Sequence, residues 1–234
     1  ILTGYTDRSR TVYAEVQVDG ELTGLDGSSA SIQTELGWRP SPSVRLELEP
    51  EIYWQTNPLQ FYRSTDDRNA AATFGRRYVF SDTRTTEFVF GARLDWTFTP
   101  ELSFELFLRP SVFVVDYGQL KGLARPRTYD FDLFSDAQIS EADGTLTIDA
   151  DGDPGTADTF SIRRRVDFNE RVLQGTAVLR WEYRPGSAVF LVWQHERVGD
   201  ELVSNFDLGR DLGAVFDLPS ENIFLVKVTY WLGR

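Results

Sequence analysis

The sequence has no cysteine and no methionine, a single histidine, and only two lysines, Lys121 and Lys227, among its cationic residues. Without cysteine there is neither a disulfide framework nor a thiolate metal site. No apolar run approaches the roughly 18 residues of a membrane-spanning helix, and helical periodicity is weak throughout. A basic face is missing too. The net charge of -12 and the pI near 4.6 exclude a nucleic-acid partner, which needs cations against phosphate. No signal peptide is visible within the 234 residues, which read as a mature chain or, by preference, as part of a longer one.

Aromatic residues are plentiful, at 14%, with 6 Trp, 9 Tyr and 17 Phe. Apolar residues recur with period two, which is the signature of strands. In SVRLELEPEIYWQ, residues 43–55, one parity reads Val44, Leu46, Leu48, Pro50, Ile52, Trp54, and the other reads Arg45, Glu47, Glu49, Glu51, Tyr53, Gln55. Eight such segments stand out, near 11–20, 29–39, 43–56, 85–98, 102–117, 171–183, 187–198 and 222–233. They exceed the usual globular strand of about 5–6 residues and match the roughly 9–11 that cross a bilayer at a tilt.

The connections alternate. Short ones are Pro-Ser-Pro at 40–42, Thr-Pro-Glu at 99–101 and Arg-Pro-Gly at 184–186, and long ones span 20–28, 57–84, 118–170 and 199–221. Short turns at one end and long loops at the other is the outer-membrane barrel pattern. Trp38, Trp96 and Trp181 each fall two or three residues before a short turn, at one depth, as an aromatic belt requires. Trp54 and Tyr117 fall near the far ends of their strands, and Tyr230 near the last. The expected fold is therefore all-β: an antiparallel transmembrane β-barrel of eight strands, or the C-terminal part of a larger one. Membrane lipid is then a partner, and both termini are expected on the periplasmic side of a bacterial outer membrane. A soluble sandwich, with the apolar face as its core, is the competing reading.

In the barrel reading the charged parity lines the lumen: Arg45, Glu47, Glu49, Glu51, Arg93, Asp95, Glu105, Arg109, Arg180, Glu182 and Lys227. Lys227 is assigned inward because lysine facing mid-membrane lipid costs about 2–4 kcal/mol. That sets Phe224, Val226, Val228 and Tyr230 outward and Trp231 inward. Strand 187–198 is apolar on both parities. A three-residue turn before it faces Val189, Leu191 and Trp193 out, and a two-residue turn reverses them.

Three local signals carry candidate chemistry. Asp149, Asp151, Asp153 and Asp158 in IDADGDPGTAD offer hard oxygen ligands for a structural Ca²⁺, although Pro154 and Phe160 stand where an EF-hand loop has Gly and Glu. Their bland alternative is a solvated acidic turn between short strands at 145–149 and 159–163. His195, near Glu196, Asp200 and Glu201, is the one general-base candidate. No nucleophile is marked beside it, so no enzyme is expected. The basic run Arg163, Arg164, Arg165 is expected to pair within its own acidic loop. Loop aromatics Phe61, Tyr62, Tyr78, Tyr129 and Phe131 suit either sugar stacking or packing of a folded lid.

VLRWEYRPGSAVFLVWQ (178–194), LARPRTYDFDLF (123–134), RRYVFSDTRTT (76–86) and NIFLVKVTYWLGR (222–234) resemble an uncharacterised family of large outer-membrane proteins of Gram-negative bacteria, notably Bacteroidota. Its members join an N-terminal domain similar to family-nine carbohydrate-binding modules to a long C-terminal β domain. The resemblance implies that this chain is the C-terminal part of such a protein and associates it with glycans. It supplies no catalytic residues. The functions to separate are a channel or transport component, a non-conducting surface anchor binding a protein or polymer through its loops, and an outer-membrane hydrolase.

Overall fold

The structure, a computed structural model, describes residues 1–153, 155–156, 158–165 and 167–232. Thirteen strands and one α-helix account for most of them. In chain order the strands are β1 (Leu2–Tyr5), β2 (Val12–Thr23), β3 (Gly27–Ser41), β4 (Val44–Asp66), β5 (Arg76–Thr99), β6 (Leu102–Leu123), β7 (Phe131–Leu133), β8 (Ile139–Ala142), β9 (Thr145–Asp149), β10 (Thr159–Arg163), β11 (Phe168–Arg184), β12 (Ser187–Glu201) and β13 (Ser220–Thr229); helix α1 is Leu208–Val215. One antiparallel sheet runs β1-β2-β3-β4-β5-β6-β11-β12-β13, with β7 pairing on the end of β6. A second sheet, β10-β9-β8, lies within the longest connection. All eight expected strands are present, together with the two short ones at 145–149 and 159–163. The expected strand 222–233 ends earlier, at Thr229, and Gly233 lies outside the described residues.

The barrel expectation is met only in its coarser part. The fold is all-β and antiparallel, but the large sheet is an arc with two free edges: β1 pairs only with β2, and β13 only with β12, among the described residues. The strand count also rises by one at the start. Leu2–Tyr5 pairs with β2, with Leu2 opposite Val18, so the chain enters part-way up the sheet rather than at its short-turn end. The expected long loops shrink as well. Segment 57–84 is mostly the continuation of the β4–β5 hairpin, which closes only at 67–75, and β6 extends to Leu123. Bulges between Asn57 and Gln60 and between Phe61 and Arg63 break the period-two pattern there, which hid these strands in the sequence.

The three short turns share one construction. Each is a two-residue turn with proline first: Pro42-Ser43, Pro100-Glu101 and Pro185-Gly186. Proline presets the backbone angle that the first turn position needs. Each is preceded by a register shift, between Trp38 and Ser41, Thr97 and Thr99, and Glu182 and Arg184. The extra residue restores the parity that a three-residue turn would give. Trp181 therefore pairs with Val189, and Leu179 with Leu191, so Val189, Leu191 and Trp193 share the face of Trp181 although the turn itself has two residues. Gly186 adopts φ 77°, a left-handed angle that costs glycine nothing, and Trp231 packs over it.

Two cores result. Above the long-loop end, β8–β10 and the tips of the β4–β5 and β6 strands enclose Tyr62, Val79, Leu120, Phe134, Leu146, Ile148, Phe160 and Ile162. This cap has an ordinary apolar interior. The sheet below has none.

Candidate functional site

The cross-strand register sorts the sheet into two faces. One row runs Trp38, Leu46, Leu94, Leu106, Ala177, Trp193, Phe224. Another runs Arg45, Asp95, Glu105, Val178. Every residue of the expected lumen set falls on the parity of the second row. Lys227 pairs with Phe190, which pairs with Arg180, and its ammonium stands 5.7 Å from the Phe190 ring centre.

The apolar face is uncovered over most of its height. Val12, Leu36, Trp38, Trp96, Trp181, Leu191, Phe224 and Val226 are all exposed, Val226 by 66%. The apolar band covers Val44 to Trp54 on β4, Phe88 to Trp96 on β5 and Leu173 to Trp181 on β11, nine to eleven residues each. Beyond it the same face turns polar, at Thr56, Arg84 and Asn169.

The band is oblique. Opposite Trp38, perpendicular to the strands, lie Leu94 on β5 and Ala177 on β11. Trp96 sits two residues, and Trp181 four, nearer the short turns. The belt thus drops one residue per strand. At about 3.4 Å per residue and about 4.8 Å between strands, the strands incline roughly 35° to the axis normal to the belt. The upper edge descends in the same direction but more steeply, through Trp54, Leu173 and Trp193. Tyr230 is exposed at the short-turn end, where Arg184 donates to its hydroxyl at 2.8 Å. Tyr117 does not join a second belt: it turns to the other face and packs edge-on against Tyr62 at 5.6 Å, under the cap.

The charged face is paired at one level and unpaired at another. At the short-turn end, Tyr13 is 1% exposed. Its ring lies over Gly37, where any side chain would collide with it. Its hydroxyl donates to Glu47 and stands 3.0 Å from Glu35. Arg45 holds Glu47, and Arg8 bridges Glu15 and Glu35 at 2.7 Å each. Glu47 is thereby buried rather than lining open space. Arg180 pairs with Glu182 at 2.6 Å. Higher up, the face curves around a cavity of about 470 Å³ lined from five strands. Sequence reasoning did not single out Phe107 or Gly91, which help shape it; an aromatic, Phe107, between Glu105 and Arg109 on the charged parity was the available signal.

His195 lies on the apolar parity, just above the band. Arg197 Nε donates to its Nε2 at 3.0 Å, so the ring proton is on Nδ1, which donates to Asn222 Oδ1 at 2.8 Å. Trp193 donates to the same oxygen at 2.9 Å. Both ring nitrogens are engaged, and neither touches an acid or a nucleophile. Above it, α1 folds over β6, β11 and β12 and buries Arg171, which meets Glu201 at 2.7 Å and the fully buried Asp211 at 3.2 Å. Nothing in the sequence pattern announced this ion cluster, because its members lie on three separate elements.

In the acidic loop, Asp158 is drawn to Arg77 at 2.6 Å, and Arg77 also holds Asp67 at 2.8 Å. Burial opposes ionisation of Asp67, but Arg77 and the Asn69 amide outweigh it and hold the carboxyl below its usual range. Asp149 accepts from the Gly152 amide, Asp151 from Asp153 N–H and Thr156, and Asp153 from the Gly155 amide. Among the described residues no three acids gather around one point; Pro154, within this loop, lies outside them. Burial and the neighbouring Asp151 push Asp149 upward, while Asp151 is held down by its own hydrogen bonds. The basic run pairs inward: Arg164 with Glu141 at 2.7 Å, and Arg165 with the Tyr62 carbonyl and hydroxyl.

Comparison with known proteins finds no matching family model, no matching curated protein and no matching solved structure.

Proposed function

We propose that this chain forms a long arc of a transmembrane β-barrel in a bacterial outer membrane and serves as a channel or transport component, with glycans among its candidate solutes. The observation that carries the reading is the oblique, uncovered apolar band with tryptophan at its edge. A sandwich needs a second layer on that face, whereas lipid does not. An inclination of roughly 35° is what barrel closure demands of its strands. Short turns mark the periplasmic end, and the cap sits at the outer end. Free edges and nine strands fit a barrel wider than eight, which would have a filled interior. Since β1 and β13 both run toward the short turns, antiparallel closure takes an odd number of strands between them. The resemblance to glycan-associated outer-membrane proteins belongs to the same reading.

A second reading, a non-conducting anchor, draws on the cap. A folded unit with its own core over the outer end is suited to hold a protein or surface polymer. Conductance of the purified protein in planar lipid bilayers separates the two. Discrete, voltage-stable steps are expected of a channel. Insertion into the bilayer without conductance would move the function to the cap.

A further inference from the structure

The charged face is lined with ions of both signs, yet they do not all pair. At the short-turn end Arg8, Arg45 and Arg180 have carboxylate partners. In the cavity above, Glu49, Arg93 and Arg109 have no ion pair or side-chain hydrogen bond among the described residues, and Glu51 meets only the neutral Gln33 amide, at 3.0 Å. Arg93 lies 5.7 Å from the Phe107 ring centre. The unpaired charges are two carboxylates on β4 and two guanidiniums on β5 and β6, so they cancel in number while remaining on separate strands. Gly91 forms the floor. A methyl group there would come within 3.2 Å of the Glu49 side chain, so the missing side chain leaves room for the Glu49 carboxylate to lie against the sheet. The volume, about 470 Å³, is in the range of small-molecule sites.

We propose that this cavity is a binding site for a small zwitterion of the amino-acid or short-peptide class. The ammonium end would face Glu49 and Glu51, and the carboxylate end Arg93 and Arg109. Unpaired, fixed charges of both signs favour a ligand with two opposite poles over one with net charge. Arginine adds a planar fork matched to a carboxylate. A polyol would use the same donors and acceptors but gains nothing from their separation by sign. The inference rests on the charged face meeting water, as the reading above holds.

The test is calorimetric titration of the full chain in detergent micelles with glycylglycine, and with two controls: the same dipeptide acetylated and amidated at its ends, and maltotriose. Saturable binding of glycylglycine alone is expected, weakened about tenfold or more in Arg109→Ala and in Glu49→Gln, since each removes charge-assisted hydrogen bonds to one pole of the ligand. Arg109→Lys, which keeps the charge and most of the volume, serves should the alanine variant fail to fold; a partial loss is expected of it. Absence of saturable glycylglycine binding, equal binding of the capped dipeptide, preference for maltotriose, or unchanged affinity in the variants would overturn the proposal. Tryptophan quenching by brominated lipid after the same protein is reconstituted into vesicles tells a failed site from a failed membrane reading.

Discussion

The cap and the sheet treat the same residue types in opposite ways. In the cap, Ile148 is fully buried, with Phe160 and Ile162 beside it, and charged residues such as Glu141 and Asp151 face out. In the sheet, Leu191 is 45% and Val226 66% exposed, while Tyr13 and Glu47 on the charged face are buried. One chain cannot obey two hydrophobic effects. On the proposed reading the two regions are matched to different solvents: water around the cap, and an apolar medium against the outside of the sheet. The transition is abrupt, since Trp54 and Thr56 are two residues apart on one face.

The largest effect expected from breaking this contrast lies at its boundary. Asp211 is fully buried against Arg171 where α1 crosses the sheet above the band. Asp211→Ala leaves the buried Arg171 guanidinium with Glu201 as its one carboxylate partner and should destabilise the docking of α1 by about 3–5 kcal/mol. Rapid amide exchange across 205–218 would report it; protection equal to the parent chain would contradict it. Within the cap, Ile148→Ala should cost about 2–5 kcal/mol, as a buried aliphatic truncation does in an aqueous fold. That loss should appear in denaturant melts of the cap with the sheet unchanged.

Leu191→Arg sharpens the comparison most. On a water-facing surface a half-exposed leucine is replaced within about 0.5 kcal/mol. Against lipid the same change should cost about 2–4 kcal/mol of folding stability in bilayers. The smallest expected effect is electrostatic. Asp67 has a folded pKa below its unfolded value, held down by Arg77. Its stabilisation is therefore present above about pH 4 and is lost as the pH falls through the depressed folded value. Asp67→Asn should flatten the cap's pH–stability curve in that window and leave the sheet's curve unaltered.

Much of this arrangement was legible as periodicity. Strict alternation around Val44–Trp54 fixed strand, face and span together, and the single lysine at 227 fixed the face of β13. The proline-led turns set parity correctly, though by a bulge that spacing alone cannot distinguish from a longer turn. What stayed hidden had no period to read. The outer halves of β4, β5 and β6 contact the cap on one side and water on the other, so both parities are mixed. Leu2–Tyr5 is too short to alternate. Helix α1 spans two turns, and its role depends on Arg171, distant in sequence. The acidic motif at 149–158 left a cation loop and a solvated turn both open, and the pairing of Asp158 with Arg77 could not be read from spacing. At the cavity, the charges themselves were legible; which of them pair was not, because pairing depends on reach across strands rather than on order along them.

The central claim is that the apolar face meets lipid. The direct measurement is tryptophan fluorescence of the protein reconstituted in vesicles whose acyl chains carry bromine at defined depths. Trp38, Trp96 and Trp181 should be quenched most strongly by bromine near the headgroups, and aqueous acrylamide should quench them weakly. Strong acrylamide quenching with no response to brominated lipid would contradict the claim and return the sheet to water.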